Sequence, residues 1–140
     1  MPVNFFSQEI KFTLKGKTKI RQWLSAVAKK EGSSIDELSY IFCSDEYLLE
    51  LNKKHLNHNT LTDIITFDNS DDVTSSPISG DIFISIDRVK ENAAKYSVNF
   101  DQELRRVLVH GLLHLLGYKD KKTAEKAEMT GKEDQYLKLF

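Results

Sequence analysis

The amino-acid sequence predicts an α+β fold, a single mixed β-sheet of about four strands with helices packed on it. Two observations carry this expectation. Four short β-rich runs occur, at Val3–Phe6, Leu38–Cys43, Asp63–Phe67 and Asp81–Ile86. Between and after them lie longer stretches whose apolar residues recur three and four apart, the helical period. The two kinds are intermixed without strict alternation, which favours one mixed sheet.

The elements follow in chain order. Val3–Phe6 opens as a short strand, and Ile10–Leu14 is read as extending it or pairing with it. Lys17–Lys30 is a helix with Ile20, Trp23, Leu24, Val27 and Ala28 on one stripe, stopped by Glu31-Gly32. After the Leu38–Cys43 strand, Ser44 caps a helix from Asp45 to His55. Cys43, within the strand pattern, reads as a small buried hydrophobe. The strand runs DIITF and DIFISI flank a polar segment, Asp68–Ser79, that contains Pro77. We assign that segment to a loop of 12 residues, long enough to be disordered or to lie over a site. Arg88–Tyr96 is helical. Asn99, with Gln102 three residues on, caps a helix over Asp101–Leu116 that stops at Gly117. A last helix covers Thr123–Leu139.

With 140 residues, 40% hydrophobic and 29% charged, the chain is expected to form one domain, 1–140, around one core. A net charge of -1 excludes a global field that would draw it onto nucleic acid or membrane, so polyanion binding needs a local patch. Charge is unevenly spread. Lys11–Lys30 holds seven basic residues and no acidic one, whereas Glu31–Glu50 holds six acidic residues and no basic one. One cysteine rules out a disulfide within the chain and a thiolate metal cluster. The N-terminal MPVNFFSQEIKF has no signal-peptide pattern, and no run approaches the roughly 20 apolar residues of a membrane helix. A soluble, cytoplasmic protein without a membrane partner is expected.

The chemistry concentrates in VHGLLHLLGYKD, Val109–Asp120. His110 and His114 are four apart, so they share one helix face and two imidazole nitrogens can converge on one ion. Val107, Leu108, Val109, Leu112, Leu113, Leu115 and Leu116 make the turn apolar nearly all round. Charged imidazolium would be costly there, and neutral imidazole on a metal would not. Gly117 can take a left-handed turn, which lets Asp120 swing back as third ligand. Two core histidines bonded to backbone are the alternative, and the glycine turn with its following carboxylate weighs against it. The spacing is that of an extended zincin-like metal helix, with three protein ligands and one position left open, the catalytic arrangement. Gly111 stands where zincins carry their general-base glutamate, which argues against a peptidase. A glycine at this point reads either as close helix packing or as room beside the metal.

The run HGLLHLLGYKD resembles the metal motif of the YbeY family of bacterial rRNA maturation factors, metal-dependent endoribonucleases. Leu51-Asn52 with the segment Leu61–Phe67 is similar to the family's LN…PTDVLSF, and Gly80-Asp81-Ile82 to its GDI. Met129 and Glu133 sit where the family carries a similar Met and Glu. The resemblance departs at two positions. Asp120 stands where a third histidine is usual, and Leu56 where the family carries an arginine thought to matter for activity. Lys53, Lys54, His55 and His58 are candidate replacements for that positive charge, and Lys119, Lys121 and Lys122 flank Asp120 as candidate RNA-backbone contacts, as does the Lys11–Lys30 group. Trp23 could stack on a base, although its stripe position reads as core.

The resemblance implies a zinc-dependent single-strand endoribonuclease with one Zn²⁺ per chain. It would act on the 3′ end of small-subunit ribosomal RNA and in ribosome quality control. Water or the RNA 2′-hydroxyl stays open as nucleophile. The expected partners are ribosomal RNA and the ribosome, with ribosomal proteins as further contacts, and the expected form is a monomer. The alternative is a ribosome-assembly RNA-binding factor whose metal is mainly structural.

Overall fold

The computed structural model describes residues 2–56, 62–69 and 77–140, without the side chains of His55 and Leu56. Its strands are β1 (Val3–Ser7), β2 (Ile35–Cys43), β3 (Ile64–Asp68) and β4 (Ile78–Ser85). Its helices are α1 (Lys17–Lys30), α2 (Asp45–Leu56), α3 (Ile86–Lys95), α4 (Phe100–Leu115) and α5 (Thr123–Leu137). The four strands form one sheet in the order β1-β2-β4-β3. β1 and β4 run parallel to β2, and β3 is antiparallel to β4. The α+β mixed sheet expected from the sequence is therefore present.

Strand alternation sends side chains to two faces. One face carries Tyr40, Phe42, Ile82 and Ile84 into a large core with Trp23 and Leu24 of α1 and Leu108 and Leu112 of α4. On the other, Cys43 and Ile65 pack with Leu48 of α2, flanked by Tyr47, Phe67 and Phe83. Burial pushes the Cys43 thiol up to about 12, which fits a structural hydrophobe. Trp23 is also core, and its indole N–H donates to the Tyr136 carbonyl at 2.8 Å. Among the described residues no helix is long and apolar enough to cross a membrane.

Several boundaries differ from the sequence reading, β2 for one beginning at Ile35 and not Leu38, and three have a clear physical reason. Ile10–Leu14 is not a strand, because Glu9 turns the chain with φ 60 just after β1. Ile86 opens α3 instead of closing β4, because Ser85 caps that helix by accepting from the Arg88 N–H at 3.2 Å. The loop assigned to Asp68–Ser79 is shorter at both ends. Asp68 belongs to β3, and β4 begins at Ile78, where pairing with Ile35 of β2 starts. The middle of that segment, 70–76, lies outside the described residues.

The caps at Ser44 and Asn99 are present, accepting from Tyr47 N–H at 3.1 Å and Gln102 N–H at 2.8 Å. Glu31, at the end of α1, ties three elements. Its carboxylate accepts from Tyr118 Oη at 2.6 Å, from the Tyr136 hydroxyl and from Lys132 Nζ at 3.3 Å. Burial pushes the Glu31 carboxyl up, but these three hydrogen bonds and the Lys132 charge outweigh it and hold the pKa below its ordinary value. A carboxyl lowered in the fold stabilises above its unfolded pKa, and that contribution disappears as pH falls through the folded value. Glu31→Gln should thus cost about 1–2 kcal/mol at neutral pH, with the gap to the parent closing below about pH 4. Denaturant unfolding of both proteins across pH measures this; a gap that stays constant on acidification would contradict it.

Candidate metal centre

The site is built on the half-buried outer face of the C-terminal half of α4. Leu108, Val109, Leu112 and Leu113 seat α4 in the core, leaving His110 and His114 partly exposed on its outer face. Their rings lie 4.6 Å apart between centroids. After α4, Gly117 turns the chain with φ 109, a left-handed value suited to glycine. Asp120 then returns to the histidines. Its Oδ2 lies 3.3 Å from His110 Nε2 and 3.4 Å from His114 Nε2. Two ligands at about 2.0–2.1 Å from one tetrahedral zinc are spaced by about 3.4 Å, so the donor set fits the ion the sequence implies. One ligand atom from each of His110, His114 and Asp120 lies within 4.8 Å of the others.

The other nitrogen of each ring is engaged. His114 Nδ1 is 3.1 Å from the Tyr118 carbonyl, which can only accept, so Nδ1 carries the proton and Nε2 a lone pair. His110 Nδ1 lies 2.5 Å from Glu133 Oε2. Glu133 is itself bound through Oε1 to Arg106 Nη1 at 2.7 Å, and Arg106 Nη2 reaches Asp134 at 2.6 Å. A chain of four side chains, Asp134–Arg106–Glu133–His110, thus aims one imidazole. Burial pulls the His110 pKa down, but the Glu133 hydrogen bond and charge, with Asp120 and Asp63, push it above its usual value.

Beside the ligands lies a cleft of about 310 Å³ whose polar lining includes Asp63, Glu103, Arg106, Lys126, Thr130 and Glu133. Asp63 is raised by burial and by the charges of Glu133 and Asp120, against the pull of His110. Glu103 is raised by burial and by Asp63 and Glu133, with Arg106 opposing. Carboxylates outnumber cations here, an arrangement that favours a bound cation before a phosphate can approach.

The structure thus brings together the three predicted ligands. The predicted lysines are placed differently. Lys53, Lys54, Lys119, Lys121 and Lys122 are exposed, and none lines the cleft. Lys53 faces Glu50 at 3.7 Å. His58 and the side chains of His55 and Leu56 lie outside the described residues. Sequence reading missed Arg106, Glu103 and Lys126, and met Asp63 and Glu133 only through resemblance. Glu103, Arg106 and His110 are spaced i, i+3, i+7, one face of α4, which is the signal that could have found the first two. Gly111 settles on the packing alternative. A Cβ there would lie 2.9 Å from Ile82 Cδ1 and 3.0 Å from Ile64 Cδ1, so the position faces the sheet.

These features define a class: a small α+β protein with a metal-competent His–His–Asp group at the edge of a polar cleft. The family model for endoribonuclease YbeY matches residues 3–140. A relative from Cytophaga hutchinsonii named endoribonuclease YbeY is 56% identical over 135 residues, covering 96% of this chain and 93% of its own. Another of that name, from Flavobacterium psychrophilum, is 50% identical and covers 96% and 94%. The solution structure of TM1509 from Thermotoga maritima superposes with a TM-score of 0.66 at 26% identity, over 97% of this chain and 87% of that one. The chain belongs to the endoribonuclease YbeY family.

Proposed function

We propose that this chain is a zinc-dependent, single-strand endoribonuclease that matures the 3′ end of small-subunit ribosomal RNA and serves in ribosome quality control. One domain, 1–140, carries the activity. His110, His114 and Asp120 would hold one Zn²⁺ per chain. The observation that carries this reading is the aim of both Nε2 atoms at one Asp120 oxygen, at 3.3 and 3.4 Å, with both Nδ1 atoms already engaged. The relatives' shared name supports RNA cleavage.

When bound, zinc supplies a Lewis acid that lowers the pKa of water to about 7 and polarises a phosphoryl oxygen. The chain's own groups do the rest. Glu133 and the Tyr118 carbonyl hold the two imidazoles in the ligating orientation. Lys126 brings positive charge to the cleft for a phosphate, while Arg106, paired with Glu133 and Asp134, holds Glu133 in place. Asp63 and Glu103 are carboxyls outside the ligand set, and burial raises both, the direction that suits proton transfer near neutral pH. Lys53, Lys54, Lys119, Lys121 and Lys122 would meet RNA backbone farther from the reacting bond. We place the protein in the cytoplasm as a monomer whose partners are ribosomal RNA, the ribosome and its proteins.

Chelator-stripped protein tests this. Because α4 is seated by Leu108, Leu112 and Leu113 independently of any ion, circular dichroism should be unchanged on stripping. Cleavage of single-stranded RNA bearing the small-subunit 3′ end should fall at least about 100-fold and return with one equivalent of zinc. Undiminished cleavage would overturn the reading. Loss of the fold with the metal would favour the assembly factor with a structural ion.

A further inference from the structure

Through Tyr118 the ligand turn is tied to a carboxylate outside the site. Tyr118 sits four residues after His114 and two before Asp120, between the second and third ligands. Its carbonyl accepts from His114 Nδ1 at 3.1 Å. Its hydroxyl donates to Glu31 Oε1 at 2.6 Å. Glu31 is 87 residues away in sequence, just past α1, and its side chain is only 13% exposed. Tyr136 and Lys132, one helical turn apart on α5, hold the other carboxylate oxygen. The start of the turn is held by the Gly117 N–H on the His114 carbonyl and the Tyr118 N–H on the Leu113 carbonyl, both at 3.0 Å, with Tyr118 packed against the core. Gly117 takes φ 109 with nothing within 4 Å of a Cβ built there, and Lys119 and Lys121 are exposed. Without the Tyr118 hydroxyl held in place, the partly exposed stretch from Tyr118 to Asp120 would sample more positions for Asp120 and more ring angles for His114, each at an entropic cost to ligation.

We propose that Glu31 is a positioning residue for the metal centre, acting through the Tyr118 side chain to fix the turn that aims His114 and delivers Asp120. This rests on the metal-centre reading above. Glu31 bonds to Tyr118, Lys132 and Tyr136 and to none of the three ligands. Its effect passes along one connected path: carboxylate to phenol, phenol to backbone, backbone to imidazole. The geometry explains why a carboxylate serves at this place. Two tyrosine hydroxyls and one ammonium point at it, all donors, and an ionised carboxylate is acceptor-only and can satisfy all three. A glutamine offers one acceptor oxygen and turns an amide N–H₂ on the remaining donors.

The test is zinc affinity, measured by competition with a chromophoric chelator on the parent, Glu31→Gln, Tyr118→Phe and the double variant, with the melting temperature of each metal-free protein recorded beside it. Tyr118→Phe removes a single hydroxyl and leaves the Tyr136 and Lys132 contacts of Glu31 in place, so it reads the path even if Glu31→Gln fails to fold. Each folded single variant should bind zinc about tenfold more weakly than the parent, the range for a residue that orients a ligand from behind. The double variant should be no weaker than the weaker single one, since both changes cut the same path. A purely structural tie would lower the metal-free melting temperature and leave zinc affinity at the parent value in Tyr118→Phe, and that result overturns the proposal. A parent that binds no stoichiometric zinc defeats the metal-centre reading itself, and the proposal with it.

Discussion

His114→Ala should purify as a folded protein without stoichiometric zinc and with RNA cleavage reduced about 1,000-fold or more. The fold is expected to survive because His114 is at the rim of α4, with Leu112 and Leu113 fully buried behind it. The change leaves the Tyr118 carbonyl without its side-chain donor, a loss of about 1 kcal/mol at a partly solvated position. The site loses far more. Two ligands remain, His110 and Asp120, and Asp120 Oδ2 keeps only one of its two imidazole neighbours. Lewis-acid stabilisation is worth several kilocalories per mole, and each 1.36 kcal/mol is about tenfold in rate, which sets the expected loss. Elemental analysis and cleavage assays on parent and variant, with circular dichroism as control, decide it. A variant that retains one zinc and parental cleavage would show that the three residues are not the ligand set.

Much of this centre could be read in the sequence because its determinants are local. The spacing of His110 and His114 is fixed by helical geometry, and the return of Asp120 by the glycine turn three residues earlier. The strand cores were legible for the same reason, since alternation such as Ile82–Phe83–Ile84 is a nearest-neighbour property. What could not be read depends on distant partners. Arg106 and Glu133 are 27 residues apart and meet only because α4 and α5 pack together. Glu31 and Tyr118 are 87 apart, and in sequence Glu31 is simply the residue before a helix-stopping glycine. The start of β4 at Ile78 is set by pairing with Ile35, 43 residues earlier, against local composition that favours a loop. Ile86 was drawn into the strand by its side chain, although the decisive group is the Ser85 hydroxyl that caps the next helix.

The second large effect is expected at Gly111. Gly111→Glu, which would restore the residue that zincins carry beside their first histidine, should unfold this protein instead of converting it. The reason is direction. A Cβ at this position would meet Ile82 at 2.9 Å and Ile64 at 3.0 Å, on the sheet side of α4. A glutamate has further heavy atoms and a charge to place in the same gap, beside Leu112 and Leu113, which have no exposed surface. Overpacking costs about 1–3 kcal/mol and an unpaired buried carboxylate several more. The gain in helix propensity over glycine, about 1 kcal/mol, is too small to offset this. A loss on the order of 5 kcal/mol approaches the whole stability of an ordinary domain. Gly111→Ala is the control. Its Cβ would meet the chain ends of Ile82 and Ile64 and also Ile82 Cγ2 at 3.0 Å, on a branched and fully buried side chain, so strain outweighs the gain in propensity and it should cost about 1–2 kcal/mol. Thermal melts of both variants give the answer, and a Gly111→Glu protein that melts with the parent would mean that α4 can rotate or lift from the sheet. Glycine at position 111 is therefore a packing requirement of this helix on this sheet. A carboxylate at position 111 would thus be buried against the sheet and not in the cleft, which Asp63, Glu103 and Glu133 line.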